Sequence, residues 1–431
     1  MKIASITAGA GGMYCGSCMK DNTLAHAIHQ LGHECLLIPC YTPLRLDEPV
    51  AGESQVFLSG LTMYLQQKYS MLRRIPGFLA RWMANPWLLR KVSGSTVKIN
   101  AADLAPMTIS LLQGTQGHQV SEIKRLVDWL AGTYQPDVIL LTNVLLSGII
   151  PELQRCLQVP VFTTLQGDDV FLDELPEKER HECIALIRQN CSTIAGHIAT
   201  CQAYADYMAK YLDIPRSQIS VVYPGIETRH YRPHHEPEPK QGPLKIGYLA
   251  RIAPEKGFHV LVDALCHLQQ MQGIPPWTFE AAGYCTAYRK DYLEEQRLKA
   301  EKAGWGKQFH YAGELDGKGK ATFLSGLDIF SVPATFLEPK GLYVLEAWAS
   351  GVPVVQPNHG SFPELIAATH GGLLFPPGDT NKLAEQLAFL LGDTRLRQEM
   401  GKSAYQATQK KFTAAAMAHA TVQILEKSQS S

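Results

Sequence analysis

The sequence predicts an α/β protein built as two parallel-sheet domains in tandem. Three observations predict it. Short apolar β-type runs alternate with helical stretches along nearly the whole chain. Strands that read as continuous apolar runs are buried on both faces, which is the pattern of a parallel sheet between helical layers. The alternation breaks once, midway, at HYRPHHEPEPKQGP (230–243), where prolines stand at 233, 237, 239 and 243. Proline at that density blocks regular structure and reads as a linker. Length agrees: at roughly 150 residues per domain, 431 residues suggest two or three domains.

The first half opens with a β run over 2–7. A glycine-rich turn follows (Gly9, Gly11, Gly12, Gly16), then a helix over about 17–31 with Leu24, Ala27, Ile28 and Leu31 on one face. Further strands are expected over 34–39, 137–142, 161–165, 197–201 and 219–223, with helices over 119–132 and 178–189. The apolar run 138–150 contains Asn143 and stops at Pro151. It falls short of the roughly 18 apolar residues of a membrane span and reads as a buried strand followed by the start of a helix. After the linker the pattern restarts. Strands are expected over 244–250, 277–282, 308–312, 327–332 and 354–356, with helices over 257–271, 341–350, 380–391, 394–409 and 413–427. The expected domains are 1–235 and 244–410, with 411–431 a terminal helix that could brace the first. Ligands of open α/β sheets bind beyond the carboxyl ends of the strands, so the two sets of ends are expected to face each other across a cleft.

Composition narrows the function. Lys plus Arg and Asp plus Glu are 40 each, so the global basic excess of a dedicated nucleic-acid binder is missing. The N-terminus has one Lys and a short β-type run rather than an export leader, so a cytoplasmic location is expected, with the ten cysteines mostly free thiols. Cys15 and Cys18 form a C-x-x-C at the start of the first helix, with no second pair to complete a zinc site. One segment stands apart. Residues 54–102 hold Lys68, Arg73, Arg74, Arg81, Arg90, Lys91 and Lys98 among Phe57, Tyr64, Tyr69, Phe78, Trp82 and Trp87, with no acidic residue. Such a stretch is either a set of solvated helices or a peripheral contact with an anionic membrane face.

The densest chemistry lies in Glu338-Pro-Lys340-Gly341-Leu342-Tyr-Val-Leu-Glu346. Gly341 would open a helix just after a strand, where free backbone N–H groups can hold a phosphate. Glu346 would sit in the second turn, suited to accept hydrogen bonds from a ribose, and Glu338 in the loop before it. The stretch resembles the E-x7-E motif of the retaining family-4 glycosyltransferases of the GT-B fold (glycosyl transferases group 1). The similarity extends through Gly351, Pro353 and Glu364, and YLARIAPEKG (248–257) resembles the family's G-R-x-x-x-x-K-G element. Motifs in the right order and spacing are far more specific than one alone.

The resemblance implies a GT-B architecture of two Rossmann-like domains and a donor site for a nucleoside diphosphate sugar. Arg251 and Lys256 match the cations on the donor diphosphate; Arg offers a forked donor and Lys a point charge. Glu346 matches the ribose-binding glutamate and Glu338 the glutamate facing the donor sugar. Gly341 and Leu342 match the backbone that meets the phosphate, with Lys340 adding charge where an aromatic residue is usual. Gly313, Glu314 and Leu315 match the loop at the nucleobase, and Gly12 the turn that approaches the phosphate. The family often places a histidine where Gln166 stands; a glutamine cannot titrate but can hydrogen-bond a sugar hydroxyl. Asp168 is then a candidate beside the reacting sugar, and Asp169, Tyr14 and Ser17 candidates for the acceptor. The family's paired glycines before Glu364 read Gly360-Ser361 here. No metal or other cofactor is expected. The implied activity is a hexosyltransferase moving sugar to a hydroxyl of a glycan, lipid-linked or small-molecule acceptor. A nucleotide-sugar epimerase on the same architecture, or a sugar-nucleotide sensor without chemistry, stands as the alternative.

Overall fold

The computed structural model describes residues 1–9, 16–40, 101–231 and 242–428. Gly11, Gly12, Tyr14, Cys15, residues 54–100 of the basic aromatic segment and most of the proline-rich break lie outside the described residues. The chain falls into two compact units, Met1–Tyr223 with Met417–Ser431, and Pro224–Ala416.

The first unit is a parallel sheet of β1 (Lys2–Thr7), β2 (Glu34–Pro39), β3 (Val138–Leu141), β4 (Val161–Leu165), β5 (Gly196–Ala199) and β6 (Ile219–Val221), in spatial order β2-β1-β3-β4-β5-β6. Every residue of β3, β4 and β5 is buried, because helices cover both faces. The described helices are α1 (Gly16–Gln30), α2 (Ala101–Leu112), α3 (Val120–Trp129), α4 (Ile150–Leu157), α5 (Asp168–Asp173), α6 (Glu177–Asn190) and α7 (Gln202–Tyr211). The apolar run after β3 is broken where its one amide stands. Asn143 Oδ1 accepts from the Leu145 N–H at 2.6 Å and starts a 3-10 turn over Val144–Ile149, and the helix begins only at Ile150.

The second unit holds β7 (Leu244–Leu249), β8 (Trp277–Ala282), β9 (Phe309–Tyr311), β10 (Ile329–Phe330), β11 (Val354–Pro357) and β12 (Gly372–Phe375), ordered β12-β11-β10-β7-β8-β9 and parallel throughout. Its helices are α8 (Phe258–Gln270), α9 (Lys290–Lys302), α10 (Gly317–Ser325), α11 (Leu342–Ala349), α12 (Phe362–Thr369), α13 (Thr380–Gly392) and α14 (Thr394–Lys411). An aromatic cluster anchors one flank: Phe258 meets Tyr248 at 4.9 Å between centroids, and Trp277 meets Trp305 at 5.5 Å. The chain runs outward from β7 through β8 and β9, then returns to the other side for β10. The direction of winding therefore reverses between β7 and β10, which opens a crevice at their carboxyl ends.

The border between the units falls at Tyr223, ahead of the proline-rich break. Backbone pairing explains it. Ile226 N–H donates to the Phe412 carbonyl at 3.0 Å, and Ala414 N–H donates to the Ile226 carbonyl at 2.9 Å. These bonds hold the entry to the second unit beside the end of α14. The last helix, α15 (Ala414–Lys427), returns the chain to the first unit from Met417 on. Its Met417, Ala418, Val422 and Leu425 are buried, spaced to share one helix face. Met417 and Thr421 line a small cavity with Lys20, Leu24, Leu140, Ile198 and Val222. Among the described residues no helix is long and apolar enough to cross a membrane.

Candidate active site

The loops after β7 and β10 lock onto each other in the second unit. The Thr335 N–H donates to the Glu255 carbonyl at 3.0 Å. Gly257 has φ +69°, and a Cβ there would lie 1.7 Å from the Pro333 carbonyl oxygen, so only glycine permits this approach. Tyr248 Oη donates to the Arg251 carbonyl at 2.9 Å and ties the first loop to the end of β7. Arg251 reaches Glu255 at 3.1 Å, with 40% and 34% of the two side chains exposed. The motif's two ends thus meet because the strands they follow are neighbours.

Glu338 is the centre of this meeting. It is 3% exposed. Its Oε2 accepts from Lys256 Nζ at 2.6 Å and from Tyr343 Oη at 3.3 Å, while Oε1 accepts from the Lys340 N–H at 3.2 Å and the Gly341 N–H at 3.4 Å. Burial by itself would push this carboxyl up. The ammonium groups of Lys256 and Lys340 and the hydrogen bonds from Lys256 and the Lys340 amide outweigh it and hold the pKa at about 2. Lys256 Nζ also lies over the Phe336 ring at 4.6 Å and the Tyr343 ring at 5.4 Å. Behind Glu338, the Ser361 N–H donates to its carbonyl at 2.8 Å. Gly360, at φ +59°, lies so close that a Cβ there would sit 2.6 Å from the same carbonyl oxygen. The loop before α12 thus clamps the Glu338 backbone.

Gly341 has φ +60° and opens α11, with Leu342 its first residue. Glu346 lies in the second turn, 9% exposed, and its Oε1 accepts from Lys320 Nζ at 3.2 Å. Gly313 has φ +78° and its carbonyl accepts from the Gly283 N–H at 2.8 Å, which joins the ends of β8 and β9. Glu314, next to it, is exposed and Leu315 half-buried.

The first-unit candidates are held inward. Gln166 is 4% exposed and Nε2 donates to the Thr142 carbonyl at 2.6 Å and to Asp21 Oδ2 at 3.3 Å. Asp168 accepts from the Val144 N–H at 3.2 Å and from the Gln166 N–H at 3.0 Å. Asp169 accepts from Tyr204 Oη, and burial raises its pKa against that hydrogen bond. Ser17, near the start of α1, is half-buried. The structure brings Gln166 and Asp168 together at the ends of β3 and β4, and gives both a structural partner.

Several polar residues here are invisible to motif reading. Lys20 and Asp21 form an ion pair at 3.2 Å, with side chains 6% and 2% exposed. Burial raises the Asp21 pKa, opposed by Lys20. Their signal in the sequence is faint: a Lys-Asp-Asn run on a helix whose neighbours are apolar. Tyr343, buried against Glu338, reads from the sequence as a core aromatic, and Lys320 as one more surface lysine. Among the described residues, no group of three or more His, Cys, Asp or Glu side chains could hold a metal ion.

Known proteins resemble this chain in sequence and in fold. The family Glycosyl transferases group 1 matches residues 232–407. The glycogen synthase of Mycobacterium tuberculosis strain H37Rv is 26% identical over 299 residues, covering 68% of this chain and 69% of the relative. Sucrose-phosphate synthase from Thermosynechococcus elongatus has a TM-score of 0.70 at 16% identity, covering 100% of both chains. HepE from Anabaena, solved in complex with UDP, has a TM-score of 0.68 at 17% identity, covering 99% of this chain and 100% of that one. At those identities the likeness shows the fold. Residues 232–407 therefore form a glycosyl transferases group 1 domain, and the chain is a glycosyltransferase of the GT-B fold.

Proposed function

We propose that the protein is a retaining hexosyltransferase whose donor, a nucleoside diphosphate sugar, binds at the carboxyl ends of β7 and β10. The observation that carries this reading is the Lys256–Glu338 pair, 2.6 Å apart and set against the amides of Lys340 and Gly341. In it, one buried carboxylate occupies a nest of cations and N–H groups suited to phosphate. Arg251 and Lys256 take the diphosphate, the N–H groups at Gly341 and Leu342 add to that field, and Glu346 accepts from the ribose hydroxyls. Gly313, Glu314 and Leu315 border the nucleobase. Glu338, ionised at any pH above acid, faces the sugar hydroxyls.

Transfer breaks the bond between the anomeric carbon and the diphosphate oxygen. It forms the bond to the acceptor oxygen on the same face. The acceptor proton passes to the departing phosphate oxygen, so no protein base is required, which suits a Gln166 that cannot titrate. The cations and amides stabilise the charge that grows on the leaving diphosphate. In the first unit, Asp169 and Ser17, with Tyr14 on the glycine-rich turn, are the residues proposed for the acceptor side. The run of cations and aromatics over 54–102 supports peripheral contact with an anionic membrane face and a cytoplasmic reaction; co-sedimentation with anionic and neutral vesicles separates this from a solvated segment.

The test is a thermal-shift screen against UDP-, GDP- and ADP-sugars. A ligand that binds only the native state at 100 times its Kd adds about 2.7 kcal/mol. One nucleotide class should raise the melting point of the wild type and lose that effect in K256A. A chain whose melting point none of the three moves does not take these donors at this site. An NMR assay of the anomeric proton in the product then reads retention or inversion directly.

A further inference from the structure

We propose that Lys320 is a positioning residue for nucleotide recognition: it fixes the Glu346 carboxylate so that it can accept from the ribose hydroxyls. This rests on the assignment of Glu346 to the ribose. Lys320 lies on α10 and Glu346 on α11, and each side chain is only 12% exposed. The two meet at 3.2 Å through Nζ and Oε1. Both elements are set by neighbouring features. Asp316 caps α10 by accepting from the Gly319 N–H at 2.7 Å, which aims the first turn. The αL backbone of Gly341 sets where α11 begins.

A glutamate side chain has three rotatable bonds, and an acceptor for a vicinal diol must be held in one orientation. Being nearly out of water, this carboxylate cannot rely on solvent to hold it. Lys320 supplies the counter-charge and spends one carboxylate oxygen. Among the described residues, Oε2 takes no hydrogen bond from protein, so it is the atom left to the ligand. The lysine therefore acts through Glu346 and needs no contact with the nucleotide.

The experiment titrates the full chain by calorimetry with UDP, GDP and ADP, and with the 2′-deoxy form of each. Wild type should bind its preferred ribonucleotide about 10-fold more tightly than the 2′-deoxy form, the worth of one hydrogen bond to a charged group. K320M should bind the ribonucleotide about 10-fold more weakly and the deoxy form unchanged, so the discrimination disappears. K320R, which keeps a charge at the carboxylate, should retain most of it. A K320M chain that discriminates like wild type, while E346Q does not, overturns the role of Lys320 alone. An E346Q chain that still discriminates, or a wild type that binds none of these nucleotides or never discriminates, overturns the ribose assignment and this proposal with it. If K320M melts early, K320Q carries the same comparison.

Discussion

Glu338 carries two separable roles, and its pKa lets one be measured. A carboxyl held at about 2 when folded binds its proton more readily when unfolded, where its pKa is ordinary. Its contribution to stability is therefore fully present above about pH 4.5. It is lost as pH falls from there through about 2. E338Q should flatten that part of the pH–stability curve of the second unit. It should also cost about 3 kcal/mol at neutral pH, since the amide –NH2 would face either the Lys256 and Tyr343 donors or the Lys340 and Gly341 N–H groups, and Lys256 would lose its counter-charge. Urea melts at pH 7 and pH 3 measure both effects. Transfer should fall about 100-fold or more in the same variant, as for loss of one preorganised charge contact. A curve whose acid limb is unchanged would mean that Lys256 and Glu338 are not paired in solution.

At the scale of elements, the site depends on how closely two loops approach. G257A combines an αL backbone, unfavourable for alanine by about 1–2 kcal/mol, with a Cβ 1.7 Å from the Pro333 carbonyl oxygen. One loop must move away from the other. Lys256, adjacent in sequence, moves with it and leaves Glu338. The variant should be destabilised by more than the backbone term alone and should lose nucleotide binding, as read by denaturant melts and the thermal-shift screen. Retained affinity would show that the approach of β7 and β10 does not position Lys256. The same logic explains why Asp168 is a weak catalytic candidate from its geometry: both carboxylate oxygens hold backbone N–H groups that fix the turns after β3 and β4.

For the whole molecule, the final helix decides which unit is complete. Removing residues 417–431 takes Met417, Val422 and Leu425 from the first unit, each worth about 1.5–3 kcal/mol of burial. It leaves Leu24, Ile198 and Val222 without a cover. The shortened chain should melt in two steps, with the first unit falling at lower temperature and the second retaining its own transition. Hydrogen exchange should rise in β5 and β6 and stay low in β7 and β8. A single unshifted transition would mean that the helix contributes little to that core.

Much of this was legible in the residues alone. The β-type runs 161–165 and 277–282 coincide with β4 and β8: β4 is buried at every position, and in β8 Trp277 and Phe279 face inward while Thr278 and Glu280 are half-buried. The order of Arg251, Lys256, Glu338 and Glu346 carried the family resemblance that implies the candidate donor site. What periodicity and motif could not reach is pairing at a distance. Lys256 meets Glu338 across 82 positions, Lys320 meets Glu346 across 26, and Gln166 meets Asp21 across 145. Those partners are chosen by which strands lie side by side and which glycines let loops close. Linear order thus determined the elements and the chemistry available, because local propensity and side-chain type are properties of the chain. The tertiary structure alone decided which charges are neutralised, which face inward and which remain for a ligand, because an ion pair's worth depends on distance and burial, and neither exists until the sheet is wound.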